Sequence, residues 1–484
     1  MKKSSKFVSL MCGALLALGV ASCGPTDDDR IKVTFWHTMG QANEALVEDM
    51  LKEFYAEHPG IVVELVNRGG YDQLRDAINQ SFPAGTTPTM AFCYPDHVAD
   101  YMEYAVDLTS YVNSTEEFDG ETLGFSFDDG HHVEEGVEVS GVDDYVDAYW
   151  EEGTQYANEG IYSAAFSKST EVLFYNVDVF KELKLTPPTI WDNPDDPDDP
   201  TSFTYVARRL REYVEGEGLE WGGDDGYRAL GYDSDDNLYI SFSEQLGIPY
   251  TSMDETEHYP FGANGGNAEA KNMVQTVKNW YDQGYIITGG VLGEGSYTST
   301  LFAEDEKIFM SIGSSGGTRY NITNSFEVGV AKVPQWNLDN VKTISQGPSI
   351  CFFNTASEEQ LNAAWLVYRH ITNSANTASY AISTGYSPVR ISSYDVAKYK
   401  AHLEGGELKE DGTIVPYTVN SERWLQSKVA NITMTMDNDY FVSPVFKGSA
   451  VARIQVGSII TDVLTGVKTI DEAFTSAYTI CTYA

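Results

Sequence analysis

One segment carries the residue types that hold metal ions: Asp128-Asp129-Gly130-His131-His132-Val133-Glu134-Glu135. Imidazole beside carboxylate suits zinc or nickel, yet neighbouring histidines on a strand or helix point to different faces. The segment therefore lacks a converging ligand set, and neither a resident metal nor a cofactor is expected. Covalent chemistry is no better provided for. The chain has no GxSxG elbow, no HExxH helix and no GxxxxGK[ST] phosphate loop. Carboxylate pairs abound among 72 Asp and Glu residues. A secreted glycosidase stays open as an alternative, which turnover of a chromogenic glycoside would reveal. The expectation is a protein that is not an enzyme.

The formal charge of −41 repels phosphate backbones and anionic headgroups, which argues against nucleic acid as a partner. A length of 484 residues allows two or three compact lobes, and 42% apolar content with 31 tyrosines describes a globular chain. Cys93, Cys351 and Cys481 are widely spaced and make no CxxC pair, so they read as small buried hydrophobes.

The N-terminus runs Met1-Lys2-Lys3, then an apolar stretch from Phe7 to Val20, then Ala21-Ser22-Cys23. A basic start, a short apolar core and small residues are the parts of a secretory signal. The stretch of about 14 residues is short of the ~20 that span a bilayer. A cysteine directly after the small residues resembles the lipobox of bacterial surface lipoproteins. The chain is thus expected to be exported to the cell surface or periplasm and held at the membrane by lipid on Cys23 alone. Residues 1–22 would be the signal and 23–30 a tether.

After the tether, Ile31 to Trp36 alternates as a strand and is followed by a helix with Leu46, Val47, Met50, Leu51 and Phe54 on one face, stopped by Pro59-Gly60. A strand at Ile61–Val66, a helix at Gln73–Phe82 and a strand at Met90–Tyr94 complete a β-α-β-α-β run, which implies a parallel sheet. Ligands on such sheets lie beyond the carboxyl ends of the strands. Those ends are Trp36-His37, Asn67 to Tyr71 and Tyr94 to Asp96. Trp36 suits a ring platform and His37 a donor. Residues 110–158, rich in acid and glycine, read as surface insertions, and 192–200, with three prolines, as a solvated loop without EF-hand spacing. Strands at Glu171–Asn176, Lys307–Ile312, Val328–Val333 and Ser349–Phe353 point to a second α/β lobe. Backbone N–H groups after the Lys307 strand, at Ser315 and Gly316, would face a cleft and suit hydroxyls or an anion.

Several short words stand in one order along the chain: Phe35 to Gly40, Gly70-Tyr71-Asp72, Ser169 to Asn176, Pro187 to Trp191, Met310 to Gly316, Val328 to Pro334, and Thr384 to Arg390. Together they resemble family 1 extracellular solute-binding proteins of ABC importers, nearest the glycerol-3-phosphate-binding branch and more distantly the maltose-binding one. The resemblance implies an α/β, two-lobed, type 2 periplasmic-binding-protein-like fold with a hinge and a central ligand cleft. Residues 31–172 plus 347–390 would form the N-terminal lobe, and 173–346 plus 391–484 the C-terminal lobe. Crossings between the lobes are expected near Leu173, at Gly347–Phe353 and near Arg390.

The resemblance further implies ligand contacts at Tyr71, Ser169, Ser315, Gly347 and Tyr386, with Asp96 standing in for a glutamate of the relatives. Asp235 joins them from Gly231 to Asp236, where the relatives carry an aromatic. An arginine of the relatives is replaced by Lys447 in Phe446-Lys447-Gly448, a point charge without the fork that suits phosphate. The expected ligand is an uncharged sugar or oligosaccharide, delivered to ABC permease subunits by a monomer. The alternatives are glycerol 3-phosphate or a glycerophosphodiester in the same fold, or a metal-binding surface lipoprotein.

Overall fold

The computed structural model describes residues 29–483 apart from 224, 255, 294 and 437, so the expected signal and Cys23 lie outside the described residues. The first strand, β1 (Ile31–His37), alternates β-branched and aromatic residues and leads into α1 (Gln41–Glu57), which buries Val47, Met50, Leu51 and Phe54 on the face anticipated for it. Next come β2 (Ile61–Asn67), α2 (Tyr71–Ala84), β3 (Met90–Cys93) and α3 (Pro95–Asp100). Strands β1, β2 and β3 pair in parallel, with Ile31 opposite Ile61 and Phe35 opposite Met90. Crossover helices between parallel strands bury both sheet faces, which is why β3 reads Met-Ala-Phe-Cys with no polar residue.

The chain reaches a second sheet after β4 (Ala164–Ala165). There it forms β5 (Glu171–Asn176), β6 (Arg228–Tyr232), α4 (Asp235–Leu246), β7 (Ile286–Thr288), β8 (Ile308–Ser314) and β9 (Val328–Ala331). It then returns to the first sheet as β10 (Ser349–Phe352). The sheets have strand orders β2-β1-β3-β10-β4 and β7-β6-β8-β5-β9. Each carries its own core, around Phe35, Phe92 and Trp365 in one lobe and around Met310, Phe242 and Trp280 in the other. Helix α5 (Glu358–Ile371) covers the first sheet, and α6 (Ser449–Leu464) packs on α4 in the second lobe. This is the two-lobed α/β architecture anticipated from the sequence.

Two expectations change. Leu173 lies inside the second sheet, paired with Ile312 and Ala331, so the first crossing is the stretch 166–170 just before it. Three crossings run side by side. Ser169 exchanges backbone hydrogen bonds with Gln346, and Lys168 with Ser387. Nor is 110–158 merely surface. Val112, Leu123, Tyr145 and Tyr149 are buried in the first core, and the Trp365 indole donates to the Leu123 carbonyl at 2.7 Å. Hydrophobic residues spaced irregularly among acids gave no periodic signal, although they fill the core. Among the described residues no helix is long and apolar enough to cross a membrane.

Candidate functional site

Between the lobes lies a cavity of about 550 Å³. The first lobe contributes the turn after β1, with Thr38 and Asn43, together with Tyr71 and Tyr380. The second contributes Ser314, Gly316, Arg319 and Tyr320 from the end of β8, while Pro348 and Tyr386 come from the crossings. A second cavity of about 50 Å³ is lined by Tyr94, Asp96, Glu152, Tyr250, Gly347 and Arg453. Tyr71 faces one space and Tyr94 the other, and their rings lie 4.2 Å apart, so this aromatic pair forms the wall between them. The lobes touch on both sides: Arg319 donates to the Asn43 side chain at 3.0 Å, and the Gly448 N–H to Asp100 at 3.4 Å.

The local sequence explains these positions. Gly69 takes φ 85° and Gly70 caps α2, so the chain turns sharply out of β2 and presents Tyr71 as the first helical residue. Burial raises the Tyr71 phenol above its ordinary range, so it is neutral and available as a donor. Gly316 lets the Tyr386 ring approach, since a Cβ there would lie 2.7 Å from ring carbons. Gly347, at φ 92°, allows the second crossing to lie against the backbone of Ser167 and Lys168. Beneath this crossing Lys168 and Glu152 form a buried ion pair, with further bonds from Lys168 to the Gly347 carbonyl (3.3 Å) and the Ser349 hydroxyl (3.1 Å). The Ser345 hydroxyl also donates to Glu152.

Of the ten positions singled out in the sequence, five line these two cavities: Tyr71, Gly316 and Tyr386 the larger, Asp96 and Gly347 the smaller. Ser169 and Ser315 are buried at the crossing. The Ser315 N–H donates to the Thr170 carbonyl at 2.7 Å and its hydroxyl accepts from the Thr170 N–H, a staple between β8 and the first crossing. Trp36 is no platform in the cleft. It is buried in the first core, with the Arg68 guanidinium 3.7 Å from its ring centroid, because strand alternation turns it away from Phe35 and His37. His37 is fully buried, with Nδ1 accepting from the Met39 N–H at 3.2 Å, and burial lowers its pKa to about 4, so the ring is neutral. Asp235 turns inward as well: its carboxylate accepts from the Gly290 N–H at 2.6 Å, and burial pushes its pKa up to about 6. Asp233 is bound by the Thr298 N–H and hydroxyl, both at 2.7 Å.

The charge expected at Lys447 is found elsewhere. Lys447 is exposed and lines neither cavity, whereas Arg453, in the first turns of α6, lines the smaller one. Its guanidinium holds Asp236 at 2.9 Å and donates to Asn237. Asn237 in turn donates to Glu171 at 3.1 Å. Burial raises the Glu171 pKa to about 7, although Tyr232 and Asn237 hydrogen bonds oppose the shift. The expected metal-like segment does not converge either: His132 Nδ1 lies 2.8 Å from Asp144, while the His131 ring is against Phe127.

Comparison with known proteins agrees with this architecture. Residues 49–404 match the profile of a family described as bacterial extracellular solute-binding protein. The sn-glycerol-3-phosphate-binding periplasmic protein UgpB of Escherichia coli K12 is 24% identical over 404 residues, covering 80% of this chain and 81% of its own. UgpB from Mycobacterium tuberculosis, solved with glycerophosphocholine, superposes with a TM-score of 0.67 at 16% identity, over 93% of this chain and 98% of its own. Maltose-bound MalE3 of T. maritima gives 0.66 at 14% identity, over 93% and 99%.

Proposed function

The chain belongs to the bacterial extracellular solute-binding proteins, and from that premise we propose that it captures a carbohydrate, a sugar or short oligosaccharide, in the cavity between its lobes. One observation carries the reading. The cavity of about 550 Å³ is lined by Tyr71, Tyr320, Tyr380 and Tyr386 with Thr38, Asn43 and Ser314, and among the described residues Arg319 is the one charged side chain on its wall. Sugar rings present apolar C–H faces to aromatics and a rim of hydroxyls to neutral donors and acceptors, and this lining offers both. The structural likeness to maltose-bound MalE3 of T. maritima supports the same class.

Hinge closure around the ligand requires no covalent step, and the ligand favours the closed state by its contacts to both lobes. In this reading the chain is a receptor without catalytic activity. It delivers its cargo to an ABC permease and is held at the membrane through lipid on Cys23. Metabolic labelling with a radioactive fatty acid, lost in Cys23→Ala, tests the anchor.

Arg453 on the smaller cavity favours a second reading, a glycerophosphodiester, in keeping with the glycerophosphocholine held by the M. tuberculosis protein. Asp96, Asp236 and Glu152 around that guanidinium weigh against an anion. A thermal-shift screen against sugars, oligosaccharides, glycerol 3-phosphate and glycerophosphodiesters separates the two. A ligand at a hundred times its Kd stabilises by about 2.7 kcal/mol. Shifts with a sugar class are expected; shifts with phosphates alone would replace the sugar reading.

A further inference from the structure

We infer that the C-terminal end of α1 and the hairpin 117–122 form a site for a divalent transition-metal ion of the zinc class, with His58, Glu57 and Glu121 as its protein ligands. The donor atoms of these three side chains all lie within 4.8 Å of one another. The site is on the first lobe, away from the ligand cleft, and stands independently of the carbohydrate reading.

His58 terminates α1. Its ring is only 4% exposed and packs on Phe54 with centroids 4.5 Å apart. Nδ1 lies 2.9 Å from Asp119 Oδ2, and Nε2 lies 3.0 Å from Glu121 Oε1. A neutral imidazole has a single N–H to give. If that proton is on Nδ1 and bonds Asp119, the Nε2 lone pair points at an anionic oxygen. Nε2 and Oε1 then present two lone pairs 3.0 Å apart, a separation that a metal ion between them would fit.

The metal ion would sit where these donors converge with that of Glu57. Two donors held about 2.0–2.1 Å from zinc at the tetrahedral angle are about 3.3 Å apart, close to the separation found. Asp119 takes the outer role usual around a metal-bound histidine, fixing the tautomer and aiming Nε2. Glu57 supplies the third ligand from the last turn of α1, which has no basic residue, so the negative end of the helix dipole also favours a cation.

Among the described residues one neighbouring cation touches the trio, and it does so on the Glu121 oxygen that does not contact His58. Arg369 is engaged by Asp129 at 3.0 Å and reaches the other oxygen of Glu121, Oε2, at 3.6 Å. His370 Nε2 is 2.9 Å from the Met50 carbonyl. A cavity of about 780 Å³ opens beside the trio, giving water access to the remaining coordination positions. The imidazole and soft-to-borderline chemistry select zinc, nickel or cobalt over calcium or magnesium. Such an ion would fasten the inserted hairpin to α1. The histidine and hairpin carboxylate are 63 residues apart, so no local motif announces them.

The test uses the purified chain, stripped with a chelator and titrated with zinc chloride against a chromophoric zinc indicator at neutral pH. One ion per chain is expected, with a raised melting temperature. Glu57→Gln changes an exposed carboxylate with no burden on folding. It and Glu121→Gln should each weaken binding at least tenfold, whereas His131→Ala leaves it unchanged. His58→Gln should abolish binding, its fold checked by circular dichroism. Absence of binding at tens of micromolar zinc, or equal binding by Glu57→Gln and Glu121→Gln, would overturn the proposal. The contacts of His58 with Asp119 and Glu121 would then be hydrogen bonds that fasten the hairpin without a metal.

Discussion

Removing the ammonium beneath the crossings leaves an uncompensated buried carboxylate. Lys168 and Glu152 are 0% and 2% exposed, and the pair joins the first crossing to the segment that carries Tyr149 into the core of the first lobe. Lys168→Met preserves the length of the aliphatic stem but strips Glu152 of its counter-charge, leaving the Ser345 hydroxyl as its donor. Breaking a buried pair in this way costs about 3–5 kcal/mol, a shift of roughly two to three and a half decades in the unfolding equilibrium. Loss of the bonds to Gly347 and Ser349 acts in the same direction. Adding Glu152→Gln to Lys168→Met removes the stranded charge. Because neutral replacements of buried pairs are often nearly neutral, the double variant should recover at least half of the loss. Urea unfolding followed by tryptophan fluorescence measures this as a change of midpoint at constant slope. A loss below about 1 kcal/mol in Lys168→Met, the range of solvent-exposed pairs, would refute the reasoning. So would a double variant no more stable than the single one.

Other perturbations separate ligand contacts from scaffold. Tyr71→Ala should lower carbohydrate affinity at least tenfold in calorimetry while the protein remains folded. Trp36→Ala, by contrast, removes a core side chain under Arg68 and should cost about 3–5 kcal/mol in unfolding experiments with affinity retained. This revises the reading from sequence, which placed both residues at the ligand. Gly347→Ala forces a left-handed φ of 92° on a residue whose Cβ meets the Ser167 carbonyl; a loss of about 2–4 kcal/mol in urea unfolding is expected. Glu171 sets a pH dependence. Its pKa is raised from 4.5 in the unfolded chain to about 7 in the fold, so the protonated fold is favoured. That stability is complete below pH 4.5 and is lost as pH rises through 7. Glu171→Gln should therefore gain on the wild type by about 2.5 kcal/mol between pH 5 and pH 8, read from urea midpoints. His37, lowered to about 4, works in the opposite sense in both proteins and cancels from the difference.

The elements of both lobes were legible where periodicity was strong. Ile31 to Trp36, the apolar face of α1 and the strand Glu171–Asn176 form as the residue pattern requires. Tyr71, Gly316, Gly347 and Tyr386 line the two cavities as the sequence placed them, because turns and close approaches leave words such as Gly70-Tyr71 and Thr384-Gly385-Tyr386. Trp36 misled because the end of a strand does not say which face a ring takes, and Arg68 arrives from β2 to cover it. Asp235 misled because α4 opens inward, toward the Gly290 turn. Arg453 was missed for a different reason. It is one helical residue in the last stretch of the chain, and only tertiary packing of α6 on α4 brings it to the crossings, whereas Lys447 stood in the more suggestive word. The core role of 110–158 was hidden by its acids.

The central claim, that a carbohydrate is held between the lobes, is tested most directly by calorimetric titration of the sugar found in the screen into wild type and Tyr386→Ala. Tyr386 rises from the third crossing against Gly316 and lines the larger cavity. One site per chain in the wild type, with affinity at least tenfold weaker in a Tyr386→Ala protein that melts normally, is the expected result. Equal affinity in the two proteins would place the ligand elsewhere and contradict the account.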